Sequence, residues 1–386
     1  MTTIDCIVEL IAGNTAPTEF STVTSDEWEN IAITAIVLGL APLLHWQLEQ
    51  HRQTLPPLTL AKLAVTRQAH AKRNQAIAHQ LAEILAACNQ QGISVIVLKG
   101  AVLAPLAYPD AALRPMNDID LLFQPDELPH VAHLLEKLGY RGKYKDAAQG
   151  PGVTKHLSTY RRNGSDGSTP NPYLSADADR MVEPHGSLEE SWFGLKVDIT
   201  PGVWQRVEPV LLHGQPCYRL STADMLLHLA VHAAFHVIMG AAVFVQLYDI
   251  RRVGETWAAE PDWDETIKLA RQSDAGPFVY AGFYWAKTLY QAPIPAEVLQ
   301  ALKAGCPAGL VNYIHSLDAT RLLKRTQQAP LVTLKQRLQR GVKDRWETAR
   351  WAGSLNEKWR VWQTALTFYK TDTASLLAGK KLKTEA

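Results

Sequence analysis

Val95-Ile96-Val97-Leu98-Lys99-Gly100 and, after a gap of 17 residues, Asp118-Ile119-Asp120-Leu121-Leu122-Phe123 decide how this chain folds. The first run, which begins at Ile93, is short, apolar, rich in β-branched side chains and closed by a glycine. That length and those flanks predict a strand buried on both faces. The second run predicts another strand. Between them, Ala101 to Tyr108 reads as a brief helix or turn, and Tyr108-Pro109-Asp110 as a turn.

Outward from this pair the pattern is helical. The first 90 residues predict helices, one opened by Ser25-Asp26-Glu27 with Trp28, Ile31, Ala32 and Ala35 at helical spacing. After Pro56-Pro57 a second helix runs roughly from Leu60 to Cys88, with Leu81, Ile84 and Leu85 as its inward stripe. Beyond Phe123, Leu128, Val131, Leu134, Leu135 and Leu138 mark a helix that closes at Gly139. Residues 141–180 are polar and rich in Gly, Ser and Pro, which predicts a long mobile loop. Strand character resumes at Met181-Val182-Glu183 and Leu195-Lys196-Val197-Asp198, and from Thr222 the pattern is helical to the end. The expected fold class is α+β. An α/β core over 91–215 lies between an N-terminal helical region (1–90), a helical domain (216–300) and a basic helical C-terminal region (301–386).

The 386 residues carry 39 Lys+Arg and 38 Asp+Glu, a net charge of +1, which excludes an acidic tail or a wholly basic nucleic-acid coat. The charge is unevenly placed. No Lys or Arg precedes Arg52, whereas 301–386 hold 16 basic and 6 acidic residues, an excess of 10. Residues 1–50 therefore lack the basic start of a secretory signal. The longest apolar run, Ile31 to Leu44, has 14 residues, short of the about 20 that span a bilayer. Cys6, Cys88, Cys217 and Cys306 lie far apart with no CxxC pair, as expected of reduced thiols in a cytoplasmic protein.

The chemistry is concentrated in Asp118-Ile119-Asp120. In a strand, residues i and i+2 share a face about 7 Å apart, so both carboxylates can converge on a pair of metal ions while Ile119 enters the core. Such acids are costly to desolvate unless they bind cations or stay wet. An upstream strand ending in Lys99-Gly100 supplies further parts: a glycine where backbone amides can approach a triphosphate, and a lysine for its oxygens. Arg114, four residues before Asp118, is a second cation for phosphate, or else an ion-pair partner of Asp110 or Asp118.

These residues resemble a known family. Val95 to Gly100, Leu103, Tyr108-Pro109-Asp110 and Leu113-Arg114-Pro115-Met116-Asn117-Asp118-Ile119-Asp120-Leu121-Leu122 are similar to the core signature of the uncharacterised bacterial nucleotidyltransferases. That family belongs to the DNA polymerase β-like nucleotidyltransferase superfamily. The likeness extends upstream to Ala41-Pro42-Leu43-Leu44 and downstream to Trp204 to Val210 and Leu220 to Leu229, covering roughly residues 25–255. It implies a mixed sheet with helices on one face, two Mg²⁺ (or Mn²⁺) ions, and transfer of NMP from an NTP to a hydroxyl. Asp118 and Asp120 would hold metal, with Lys99, Gly100 and Arg114 on the nucleotide. The third acid is Glu183, in an acid-x-His step with His185 near the nucleotide, or Asp198 on the alternative strand. The acceptor is open: protein, sugar or small molecule. Gly100-Ala101 replaces the Gly-Ser of many superfamily members, so a seryl contact to phosphate is absent.

Two features stand apart. His228, His232 and His236 recur on one helix face, where they predict a polar stripe against the cleft; three histidines over about 12 Å cannot share one ion. Asp249 is expected to anchor the following helix. Arg345-Trp346, Arg350-Trp351 and Lys358-Trp359-Arg360 interleave charge and aromatics, either as a helical subdomain with a solvated basic face or as a nucleic-acid surface. Beside an active transferase stand two other readings, an inactive nucleotide-binding adaptor of the same fold and a nucleic-acid-modifying transferase.

Overall fold

The computed structural model describes residues 2–13, 23–49, 55–143, 159–162, 180–257, 262–326 and 334–364. The lead-in comprises α1 (Thr3–Ala12), α2 (Ser25–Val37), α3 (Ala41–Leu48) and the long α4 (Pro57–Gln90). Thr24 caps α2 one residue before the expected opening. Its hydroxyl accepts from the Glu27 N–H, and the Glu27 carboxylate accepts in return from the Thr24 N–H.

Among the described residues the strands are β1 (Ile96–Val97), β2 (Asp118–Leu122), β3 (Arg141–Lys143), β4 (Thr159–Arg161), β5 (Met181–His185), β6 (Glu189–Trp192), β7 (Leu195–Asp198), β8 (Glu208–Leu212) and β9 (Gln215–Arg219). Seven form one mixed sheet in the order β3-β4-β5-β2-β1-β9-β8, and β6 with β7 forms a separate hairpin. β2 runs antiparallel to β1 and parallel to β5. Helix α5 (Lys99–Ala107) leaves β1, and α6 (Leu128–Lys137) follows β2. The apolar set Ile96, Val97, Ile119, Leu121 and Leu122 is fully buried, which accounts for the continuous hydrophobic runs.

Two expectations change. The stretch 141–180 is not wholly loop: β3 and β4 lie in it and extend the sheet beyond β5, while 144–158 and 163–179 fall outside the described residues. The β8–β9 hairpin was not foreseen. It turns at His213-Gly214, both with positive φ (49° and 80°), and the glycine supplies the left-handed conformation such a two-residue turn requires.

α4 ties the sheet to its approaches. Asn74 Nδ2 donates to the carbonyls of Ala111 (2.7 Å) and Arg114 (2.9 Å), and Gln80 clamps the backbone of Arg180, just before β5, through both N–H and C=O. After the sheet the described chain is helical, as the pattern predicts. It comprises α7 (Thr222–Met239), α8 (Phe244–Thr256), α9 (Trp263–Gln272), α10 (Gly276–Tyr290), α11 (Ala296–Lys303), α12 (Ala308–His315), α13 (Ala319–Thr326), α14 (Leu334–Ala349) and a final helix over 355–364. α7 is long and apolar enough to cross a membrane, but it is mostly buried inside the protein. In the C-terminal region the aromatics divide. Trp351 is buried and stacks on Phe278, whereas Trp346 and Trp359 are exposed.

Candidate active site

The parallel pairing of β2 with β5 sets the site. Its register places Asp120 beside Glu183 and Asp118 beside Met181. Alternation along each strand then puts Asp118, Asp120, Glu183 and His185 on one face, with Ile119 and Val182 on the other. Ligand atoms of Asp120, Glu183 and His185 all lie within 4.8 Å of one another.

Asp120 is 3% exposed and receives two charged or polar neighbours on one oxygen. Lys99 Nζ lies 3.0 Å from its Oδ1, and His185 Nε2 lies 2.7 Å from the same atom. Burial alone would raise its pKa, but Lys99 and His185 outweigh burial and hold the carboxyl well below the usual range. Lys99 is itself held above its ordinary value: burial opposes its charge, and Asp120, Asp118 and Glu190 more than offset that. The lysine reaches Asp120 from a left-handed backbone (φ 46°) at the β1–α5 junction, a conformation costly for a side-chain-bearing residue.

Asp118 is the opposite case. It stands half-buried at the open end of β2, and burial together with the Asp120 and Glu183 carboxylates pushes its pKa up to about 7, against the pull of Lys99 and Arg114. Two carboxylates on one face thus sit in different protonation regimes. A cation among them would relieve the repulsion, and oxygen donors suit Mg²⁺ or Mn²⁺.

The other residues singled out from sequence separate into those at this cluster and those away from it. Lys99 lies at it. Gly100 follows in the first turn of α5, but its lack of a side chain answers a neighbour. A Cβ there would meet Arg114 Nη1 at 2.7 Å and Met116 Cγ at 2.9 Å. Arg114, expected on the nucleotide or in an ion pair, is held by a carboxylate of α8. Its Nε and Nη2 donate to Asp249 at 3.2 and 2.8 Å, and Nη1 donates to the Pro115 carbonyl at 2.7 Å. Its partner is Asp249, not Asp110, which pairs with Arg67 at 2.7 Å. His185, expected near the nucleotide, is fully buried, and its Nε2 lies 2.7 Å from Asp120 Oδ1. Asp198 is not brought to the cluster. It lies on β7 in the separate hairpin, opposite Glu189, and its Oδ1 accepts from the Thr200 N–H at 3.0 Å.

Sequence reasoning missed several neighbours. Thr159 on β4 donates to Glu183 Oε1 at 3.3 Å, and Arg161 follows on the same face; both were read as loop. Glu190, 5% exposed on β6, is held 2.8 Å from His232 Nδ1 and acts electrostatically on Lys99. The histidine row is therefore a packed stripe next to the site: the rings of His232 and His236 are 4.2 Å apart, and His236 Nδ1 lies 3.0 Å from the Ala242 carbonyl oxygen. Asp249 anchors more than its own helix. It is fully buried and receives both Arg114 and the Tyr108 hydroxyl (2.6 Å), tying α8 to the approach to β2.

A mixed sheet whose central strand presents Asp-x-Asp, flanked by an in-register glutamate and a lysine at a helix start, defines the nucleotidyltransferase class. The family model described as uncharacterised nucleotidyltransferase matches residues 24–291, and the chain belongs to that family. Among solved structures, the chain is similar to the crystal structure of ANT(2″)-Ia in complex with adenylyl-2″-tobramycin. That match has 12% identity and a TM-score of 0.35, covering 51% of this chain and 97% of that one. It is also similar to the solution structure of the antibiotic-resistance factor ANT(2″)-Ia, at 13% identity and a TM-score of 0.31, covering 63% of this chain and 95% of that one. No protein with a curated description matches this chain.

Proposed function

We propose that this nucleotidyltransferase moves NMP from an NTP to a hydroxyl of a protein, sugar or small molecule, with Asp118, Asp120 and Glu183 holding divalent metal, Mg²⁺ or Mn²⁺. The observation that carries this reading is the in-register pairing of Asp120 with Glu183, with Asp118 two residues before Asp120 on the same face of its strand; burial first, and then the Asp120 and Glu183 carboxylates, raise the Asp118 pKa. Bound there, the cations would neutralise charge on the α-phosphate and on the departing pyrophosphate.

The chain's own groups divide the remaining work. Lys99 and the first-turn amides of α5 receive phosphate oxygens, since a helix N-terminus offers unsatisfied N–H groups and positive dipole. His185 fixes the rotamer of Asp120 from below, and Thr159 does the same for Glu183. The acceptor oxygen attacks the α-phosphorus. The new O–P bond forms as the bond to the β-phosphate oxygen breaks, pyrophosphate leaves, and Glu183 takes the hydroxyl proton. The test uses each NTP labelled with ³²P at either the α or the γ position. Label should pass to product from the α position and leave as pyrophosphate from the γ position. Transfer of the γ label would mean a kinase, and binding without turnover would mean an adaptor.

A further inference from the structure

The last two described helices carry a face that the transfer chemistry does not use. α14 and the helix over 355–364 are fastened by their inner sides. Arg345, buried on α14, donates from Nε to Thr364 Oγ1 and from Nη2 to the Thr364 carbonyl, both at 3.1 Å. Its guanidinium lies over the Phe193 ring at the β6–β7 turn, and Thr348, Trp351 and Val361 are buried as well. What remains outward is apolar. Leu338, Val342 and Trp346 recur at i, i+4 and i+8 on α14, and Leu355 and Trp359 at i and i+4 on the helix after it. All but Leu338 are more than half exposed. Among the described residues, five of the twelve large apolar side chains left exposed fall within 338–359. Single exposed apolar residues are ordinary, whereas a gathering of them marks a contact surface.

The charges around this surface divide by sign. Residues 334–364 hold eight Lys+Arg and three Asp+Glu. All three acids are engaged by the protein's own groups. Asp344 meets Arg340 at 3.4 Å and Glu347 meets Arg325 at 2.7 Å, while Glu357 accepts from the Gly353 and Ser354 N–H groups at 2.7 and 3.1 Å. Lys343, Arg350, Lys358 and Arg360 stand exposed among the apolar residues. Residues 365–386 add four lysines to two acids, so by charge neither the chain's own end nor a second copy of this face complements it.

We infer that this face docks on a bilayer containing anionic phospholipid. The occupant must offer negative charge and an apolar interior together, and a lipid surface does both. Trp346 and Trp359 suit the headgroup level, Val342 and Leu355 the start of the acyl chains, and the exposed Lys and Arg side chains the lipid phosphates. Single-stranded nucleic acid would stack on the tryptophans but leave the exposed aliphatic side chains with nothing to pack against. α14, 16 residues and about 24 Å long, lies along such a surface and does not cross it.

The test is flotation of the full chain with vesicles of phosphatidylcholine alone and of phosphatidylcholine with roughly one-third phosphatidylglycerol. The protein should float with the mixed vesicles, not with phosphatidylcholine alone, and rising salt should release it. Lys343→Glu/Lys358→Glu should weaken binding at least about tenfold through lost attraction to the headgroups. Val342→Ser/Leu355→Ser, which leaves every charge in place, should weaken it by about tenfold through lost apolar contact. Both variants should keep the wild-type Tm, because the altered side chains are exposed. Failure to float with the mixed vesicles, or equal flotation of Val342→Ser/Leu355→Ser and wild type, overturns the inference. So does binding of a single-stranded oligonucleotide without binding to vesicles, which assigns the face to nucleic acid. A dimer in sedimentation that Val342→Ser/Leu355→Ser dissolves gives the face to a second copy and overturns it likewise.

Discussion

Gly100→Ala distinguishes two reasons for a glycine at the start of α5. The added Cβ would sit 2.7 Å from Arg114 Nη1 and 2.9 Å from Met116 Cγ, where unstrained contacts are about 3.5–4.0 Å. Met116 is 5% exposed and has little room to retreat. Arg114 has less, because its guanidinium is fixed by Asp249 and by the Pro115 carbonyl. Relief must come from movement of the first turn of α5 or from stretching the Arg114–Asp249 pair. Overpacking of this kind costs about 1–3 kcal/mol, and the pinned guanidinium places Gly100→Ala in the upper half of that range. Urea unfolding should show the loss as a lower midpoint with an unchanged slope. Displacing the turn that carries Lys99 should also lower turnover by up to about a hundredfold. Gly100→Ala/Met116→Ala should recover part of the stability, since one of the two close contacts is removed. If the glycine served only backbone approach to phosphate, the variant would unfold as wild type does and show only a raised KM for NTP. That pattern would refute the packing account.

Three further outcomes follow from the same geometry. Asp249→Asn leaves Arg114 buried without its counter-charge and should cost about 3–5 kcal/mol by urea unfolding, far more than an exposed pair would. His185→Ala removes the bond that orients Asp120 and should weaken Mn²⁺ binding by about 10–100-fold in a calorimetric titration, with the fold intact by circular dichroism. The third concerns pH. Asp118 titrates near 7 when folded, against an ordinary 3.8, so the folded protein binds more protons between those values and metal-free stability falls as pH rises through that window. A divalent cation must displace the Asp118 proton below pH 7, so apparent metal affinity should drop by about tenfold per pH unit there. The Mg²⁺-induced rise in Tm should therefore be larger at pH 8 than at pH 6; equal rises would contradict the assignment.

Much of the sheet's centre was legible because local signals agree there. Apolar runs with turn residues at their ends became β1 and β2, and alternation alone sent Ile119 inward and the two aspartates to one face. The partners of those residues were not legible. Arg114 meets Asp249 across 135 positions, and nothing near either residue announces the other. Pairing of Glu183 with Asp120 depends on the register of β5 against β2, which the sequence restricts only through the acid-x-His step. β3 and β4 are three residues each within a polar stretch, too short for a hydrophobic period to show, so Thr159 and Arg161 stayed hidden. The His213-Gly214 turn carries the glycine of a tight hairpin but not the more telling Asn or Asp before it.

The most direct measurement is pyrophosphate release by Asp118→Asn beside wild type, with Mg²⁺ and each NTP, and with Tm recorded for both. Asp118 is a carboxylate repelled by its neighbours, so replacing it with a neutral isostere removes a metal ligand and relieves that repulsion at once. The account predicts turnover lower by about a thousandfold or more and a metal-free Tm at pH 8 no lower than that of wild type. Wild-type turnover by Asp118→Asn would contradict it.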